Sequence, residues 1–99
     1  MARWGDYGVT RAGYSGDMLE SVEVRSGPGA RLGDREVWRR EQVVAALLLG
    51  ARLVTMREAQ GGGWTRGEVV GLVEVDGGLF VRVDGNGVEG DQLGELPGI

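Results

Sequence analysis

Only one stretch of this 99-residue chain sustains a helical period: residues 38–50, Trp-Arg-Arg-Glu-Gln-Val-Val-Ala-Ala-Leu-Leu-Leu-Gly. Val43, Val44, Leu47 and Leu48 fall at spacings that a 3.6-residue repeat gathers into a single apolar stripe. Gly50 follows as a residue that turns left-handed without a Cβ clash, so it is expected to stop the helix. Asp34 is a capping residue type, and a cap there would carry the helix back across Arg35, Glu36, Val37 and Trp38, with Val37 seven residues before Val44. A lone amphipathic stripe must be buried against something else. The 20 glycines say what, because they recur as Gly-Gly, Gly-Asn-Gly and Gly-Pro-Gly between apolar runs. That is turn chemistry, and many tight turns imply many short strands.

Residues 7–14 alternate loosely and residues 18–25 alternate in their second half. With Ser15-Gly16-Asp17 between them they read as a hairpin. Residues 26–33 form a loop, since Pro28 is flanked by glycines and cannot serve a central ladder. From Ala51 to Ala59 an extended pattern (Leu53, Val54, Thr55, Met56) resumes straight from the Gly50 stop, which places that strand beside the helix. Gln60-Gly61-Gly62-Gly63 is a turn.

The clearest strand pair is residues 68–75 and 79–83 around Asp76-Gly77-Gly78. Read as a three-residue loop, it sets Val75 opposite Leu79, Val73 opposite Val81 and Gly71 opposite Val83, keeping one face apolar and leaving Leu72, Glu74, Phe80 and Arg82 on the other. A two-residue Gly77-Gly78 loop would oppose Val73 and Arg82. Asp91-Gln92-Leu93-Gly94-Glu95-Leu96-Pro97 suggests one short helical turn whose Leu93 and Leu96 tuck back onto the sheet. The expected architecture is a single α+β domain over residues 1–99: a small, mostly antiparallel sheet in the order β-β-α-β-β-β with one amphipathic helix packed on it. Residues 1–6 read as a flexible amino terminus and residues 84–99 as an acidic carboxyl-terminal clasp.

Several chemistries are closed to this chain. It has no cysteine, hence no disulfide, thiolate zinc site or cysteine nucleophile, and no histidine, the commonest metal ligand. All 11 cationic residues are arginine, so no lysine can form a Schiff base. Net charge is −4, and from Asp84 onward Asp84, Glu89, Asp91 and Glu95 stand without a single arginine. An acidic chain with an acidic tail argues against nucleic-acid binding, which draws on a basic face to release counterions. The longest apolar run, residues 43–49, is too short to cross a bilayer, and a cytoplasmic protein without a membrane partner is expected.

Trp38, Val43-Val44, the stop at Gly50, the paired strands and the closing Asp91-Gln92-Leu93-Gly94-Glu95-Leu96-Pro97 together resemble a small bacterial family catalogued as Domain of Unknown Function 3892, over roughly residues 18–97. The resemblance implies one short helix on a few strands, closed by an Asp-x-Leu-x-x-Leu-Pro segment. The Gly-Pro-Gly loop before Trp38 is longer than the family's, and because that family has no assigned activity the resemblance transfers no catalytic residue.

Candidate sites are few, and no catalytic or cofactor-binding residue is assigned. Gly61-Gly62-Gly63 and Gly85-Asn86-Gly87 invite a phosphate-loop reading, yet neither precedes a helix and no Gly-Lys-Ser/Thr follows. Asp84, Asn86, Glu89 and Asp91 supply oxygen ligands on a glycine-rich turn. A calcium-loop pattern breaks at Val88, so no metal is assigned and a solvated acidic loop is the plainer reading. Arg31, Arg35, Arg39 and Arg40 gather near the helix start but are interleaved with Asp34, Glu36 and Glu41. Trp38 reads as core. Trp64, on a glycine hinge and harder to bury, and Leu72 and Phe80, on the non-core face of the register above, are the apolar partner-binding candidates, with Arg35 and Arg39 the charged ones; packing against the first hairpin accounts for Leu72 and Phe80 equally well.

Three function classes stay open. The first is a non-enzymatic binding or regulatory module with a protein partner, self-associating as a homodimer through the sheet face. The second is an acidic inhibitor from a phage or mobile element that mimics nucleic-acid charge. The third, placed last, is a carboxylate- or metal-dependent enzyme built on Asp84, Glu89 and Asp91.

Overall fold

The computed structural model describes residues 5–27 and 33–99. Met1 to Trp4, Pro28 and Arg31 lie outside the described residues, and with them most of the expected flexible amino terminus and of the Gly-Pro-Gly loop. In chain order the elements are β1 (Tyr7–Ser15), β2 (Met18–Ser26), β3 (Arg35–Arg39), α1 (Arg40–Leu48), β4 (Leu53–Glu58), β5 (Trp64–Val75) and β6 (Gly78–Arg82). The six strands make one sheet in the order β3-β2-β1-β4-β5-β6, antiparallel throughout except for the β1–β4 pair. With α1 packed on it the fold is α+β. No helix among the described residues is long and apolar enough to cross a membrane.

The carboxyl-terminal segment closes this sheet on itself. β5 changes partner midway, its residues 64–70 pairing with β4 and its residues 71–75 with β6. After β6 the tail runs alongside it, with Val83 N–H donating to the Gln92 carbonyl at 2.9 Å and Gln92 N–H to that of Val81 at 2.8 Å. The tail then reaches the first hairpin: Asp91 N–H donates to the Asp17 carbonyl at 2.8 Å, and Ala12 N–H to that of Pro97 at 3.0 Å. Thus β1, β4, β5, β6 and the tail form a closed ring of hydrogen-bonded segments. Such closure removes edges that would otherwise expose unpaired backbone.

On the inner face of that ring Val9, Ala12, Leu19, Val22, Val24, Leu53, Val70, Val81 and Leu93 form one core cluster with Val43 of α1. Leu96 is partly buried against it, so the two tail leucines do fasten the sheet. They do so from an extended segment, however; no helical turn forms over residues 91–97. Val54 and Met56, also fully buried, belong to the opposite, outer side of β4.

Three further expectations are corrected. The helix does not start at Asp34 or Trp38. Residues 35–39 form β3, whose Trp38 lies opposite Val22 and whose Glu36 lies opposite Val24. Arg-Glu-Val-Trp-Arg has no clean alternation of its own, and the open edge of β2 supplies a row of backbone partners that a local cap cannot match. The element order therefore gains a strand before the helix. Arg39, with extended φ −84° and ψ 165°, then serves as the N-cap of α1, and its N–H donates to Oε1 of Gln42 at 2.9 Å.

The apolar stripe of α1 is only partly used. Val43 is buried and Val44, Ala46 and Leu47 pack partly against the core, while Leu48 and Leu49 remain 65% and 88% exposed. Gly50 does take the left-handed conformation, at φ +92°. β4 continues from it between β1 and β5, whereas α1 lies against β2, β3 and β5.

The β5–β6 register differs from both versions read from the apolar pattern. The turn is Asp76-Gly77, with both residues left-handed at φ +50° and +81°. Val75 pairs with Gly78, Glu74 with Leu79, Val73 with Phe80 and Leu72 with Val81. Directly opposite residues share a face, so Leu72 joins the inner face with Val81 while Phe80 joins the outer face with Val73. A two-residue Asp-Gly loop of this hand matches the twist of the strands it joins, and it overrides an apolar pattern that is present on both faces.

Candidate functional site

Two acids of the carboxyl-terminal segment, Asp84 and Asp91, are committed to arginines. Asp91 has a fully buried side chain. Its Oδ2 accepts from Arg40 Nε at 2.7 Å and from Leu19 N–H at 2.6 Å, and its Oδ1 from Arg40 Nη2 at 3.1 Å and Val81 N–H at 2.8 Å. Arg40 Nη2 also donates to the Leu79 carbonyl at 2.6 Å. Burial pushes the Asp91 carboxyl up, but the hydrogen bonds from Arg40, Val81 and Leu19 more than reverse this and hold it below its ordinary value. The hydrogen bond to Asp91 in turn raises Arg40, against the opposing effect of burial.

Asp84 is bound in the same manner by Arg82, whose Nε and Nη2 donate to its two oxygens at 2.7 and 2.8 Å. Those bonds, followed by the one from Asn86 N–H, lower the Asp84 carboxyl to about 2. Asn86 therefore turns its amide toward Asp84, and Glu89 is exposed. Among the described residues no group of three or more carboxylates gathers as a metal site would require.

The outer face carries a cleft of about 300 Å³. β1 contributes Thr10 and Arg11, β2 Glu23 and Arg25, and β3 Arg35; the end of β4 gives Arg57 and Glu58, the start of β5 gives Trp64, and the tail adds Glu95 and Pro97. These side chains meet because β1 bulges at Thr10, between the Val9–Val24 and Arg11–Glu23 pairs, which turns its hydroxyl onto Glu23 Oε1 at 2.8 Å. Glu23, 13% exposed, also lies 3.8 Å from Arg11 Nε and 3.9 Å from Arg35 Nη1. Both separations exceed hydrogen-bond length, so the attraction there is Coulombic; Arg11 Nη1 donates instead to the Gly98 carbonyl at 3.3 Å.

Arg25 is the unusual member. Its guanidinium carbon sits 5.5 Å from the centre of the Trp64 ring, a cation–π distance. Its Nε is buried with no hydrogen-bond partner, and among the described residues its side chain makes no ion pair within 4.0 Å. A buried unsatisfied donor on a charged group is costly and asks for an explanation. On the neighbouring strand Gly8 lies opposite Arg25. Arg57 likewise has no acceptor among the described residues.

The residues singled out from the sequence are scattered by this geometry. Trp64 and Arg35 line the cleft. Leu72 packs on the inner core. Phe80 is half-buried on the outer face, beside the opposite end of β5 from Trp64. Arg39 is exposed at the start of α1, whereas Arg40 is drawn inward to Asp91, so no arginine patch forms at the helix start among the described residues. Arg25 and Arg57 are the members that sequence reasoning missed. Gly8 in β1 lies opposite Arg25, but its meaning depends on a cross-strand register that spacing does not reveal. Comparison with protein-family models, curated proteins and solved structures gives no match to this chain.

Proposed function

We propose that this protein is a non-enzymatic binding module that docks a protein partner on the outer face of its sheet, at the cleft beside Trp64. The observation that carries this reading is the Arg25–Trp64 stack: a half-buried cation held over an aromatic ring, next to open space, with no acceptor of its own among the described residues. Tryptophan and arginine are the residue types that most often dominate the energetics of protein contacts. The residues that most readily support acid–base or nucleophilic chemistry are few. Histidine, cysteine and lysine do not occur, and Asp84 and Asp91 are each held by an arginine. The same two ion pairs weaken the charge-mimicking inhibitor reading, since they leave Glu89 and Glu95 as the tail acids without such a partner among the described residues.

The reading is tested by a photo-reactive amino acid placed at position 64 in the full chain within its native cells, with a second chain carrying it at position 48 on the exposed end of α1. Adducts from position 64 and none from position 48 support it; an adduct between two copies identifies the partner as the chain itself. Adducts from position 48 alone, or none from either, refute it.

A further inference from the structure

We infer that the occupant of the Arg25–Trp64 cleft is a carboxylate-bearing segment of the partner, inserted between the guanidinium groups of Arg25 and Arg57. This rests on the reading that the outer face binds protein. A guanidinium is a planar fork of donors whose spacing matches the two oxygens of a carboxylate, and such charge-assisted bonds are about twice as strong as neutral ones. Here two forks lie on one cleft without acceptors among the described residues, and one holds a buried N–H. Stacking on Trp64 orders Arg25 in advance, so less side-chain entropy is lost when an acceptor arrives.

Size and charge decide which acceptor. A volume of about 300 Å³ is at the lower end of what ligand sites offer and holds one or two side chains, not a folded element. Glu58 and Glu95, both exposed, stand on the same walls as the arginines, and the chain as a whole carries −4. A continuous phosphodiester chain would run past those carboxylates at every step, whereas a single glutamate or aspartate side chain need meet only the arginines that line one cleft. Glu23 is already engaged by Thr10, Arg11 and Arg35.

The experiment is a titration of the nitrogen-15-labelled full chain, following the arginine Nε–Hε resonances. Its arms are a short glutamate-rich peptide, the same peptide with every glutamate replaced by glutamine, an oligothymidine and inorganic phosphate. The expected result is a saturating shift of the Arg25 resonance with the glutamate peptide only. Arg25→Gln should weaken that binding by about tenfold or more, and Arg66→Gln, on β5 outside the cleft, should leave it unchanged. An equal response to the glutamine peptide, a stronger response to oligothymidine or phosphate, or no response at all overturns the inference. Adducts from position 64 that persist while the glutamate peptide fails to bind would sink this inference and leave the binding-module reading standing; absence of both would sink the two together.

Discussion

Asp91 and Arg40 meet in a two-pronged ion pair, at 2.7 and 3.1 Å, that joins the tail to the first turn of α1. The same carboxylate accepts from the backbone of Leu19 in β2 and Val81 in β6, so one side chain ties the tail to β2, α1 and β6. Removing it should do more than delete an ion pair. Asp91→Ala leaves two buried N–H groups and a guanidinium without their acceptor, and is expected to cost about 3–5 kcal/mol in urea unfolding. Arg40→Ala should cost less, about 1–3 kcal/mol, because Arg40 is 24% exposed and Asp91 keeps its two backbone donors. Equal effects would mean that the backbone bonds to Asp91 contribute little.

Acid should unfold the protein through the same groups. Asp91 and Asp84 titrate below the ordinary carboxylate value of 3.8 in the folded chain. A depressed folded value gives stability that is complete above the unfolded value and disappears as pH falls through the folded one. The thermal midpoint is therefore expected to drop as pH falls below about 4, and Asp91→Asn should flatten that drop while lowering stability at neutral pH. A midpoint that rises on acidification would contradict this assignment.

The Asp76-Gly77 turn offers a separate check on register. Both residues are left-handed, so Gly77→Ala is expected to cost about 1 kcal/mol and Asp76→Val about 1–2 kcal/mol, with Asp76→Asn nearly neutral. Backbone NOEs should pair Leu72 with Val81 and Val73 with Phe80. An NOE pairing of Val73 with Val81 would restore the three-residue loop.

What could be read from the sequence, and what could not, divides along physical lines. The first hairpin, β4, the Gly50 stop and the anchoring role of Leu93 and Leu96 are local or strongly patterned, and the structure contains them. Residues 35–39 carry no alternation that would mark a strand, and only the free edge of β2 selects one. In β5 from Gly71 to Val75 both faces are partly covered, so alternation could not fix the register and the Asp-Gly dipeptide did. The acidic tail looked like a solvated loop because its cation partner, Arg40, lies 51 residues away from Asp91. The cleft was the least legible feature, since Arg25 and Trp64 come together only through the order β2-β1-β4-β5.

The central claim is that Trp64 belongs to a binding face and not to the core. Unfolding free energies of Trp64→Ala and Trp38→Ala test it most directly, for Trp38 packs on the main cluster and meets Tyr7 edge-on at 4.8 Å. We expect Trp64→Ala to cost about 1 kcal/mol, the scale of a partly exposed cation–π pair, and Trp38→Ala about 3 kcal/mol. A loss at Trp64 equal to or larger than that at Trp38 would show that the ring is there to hold the fold together, and would contradict the account.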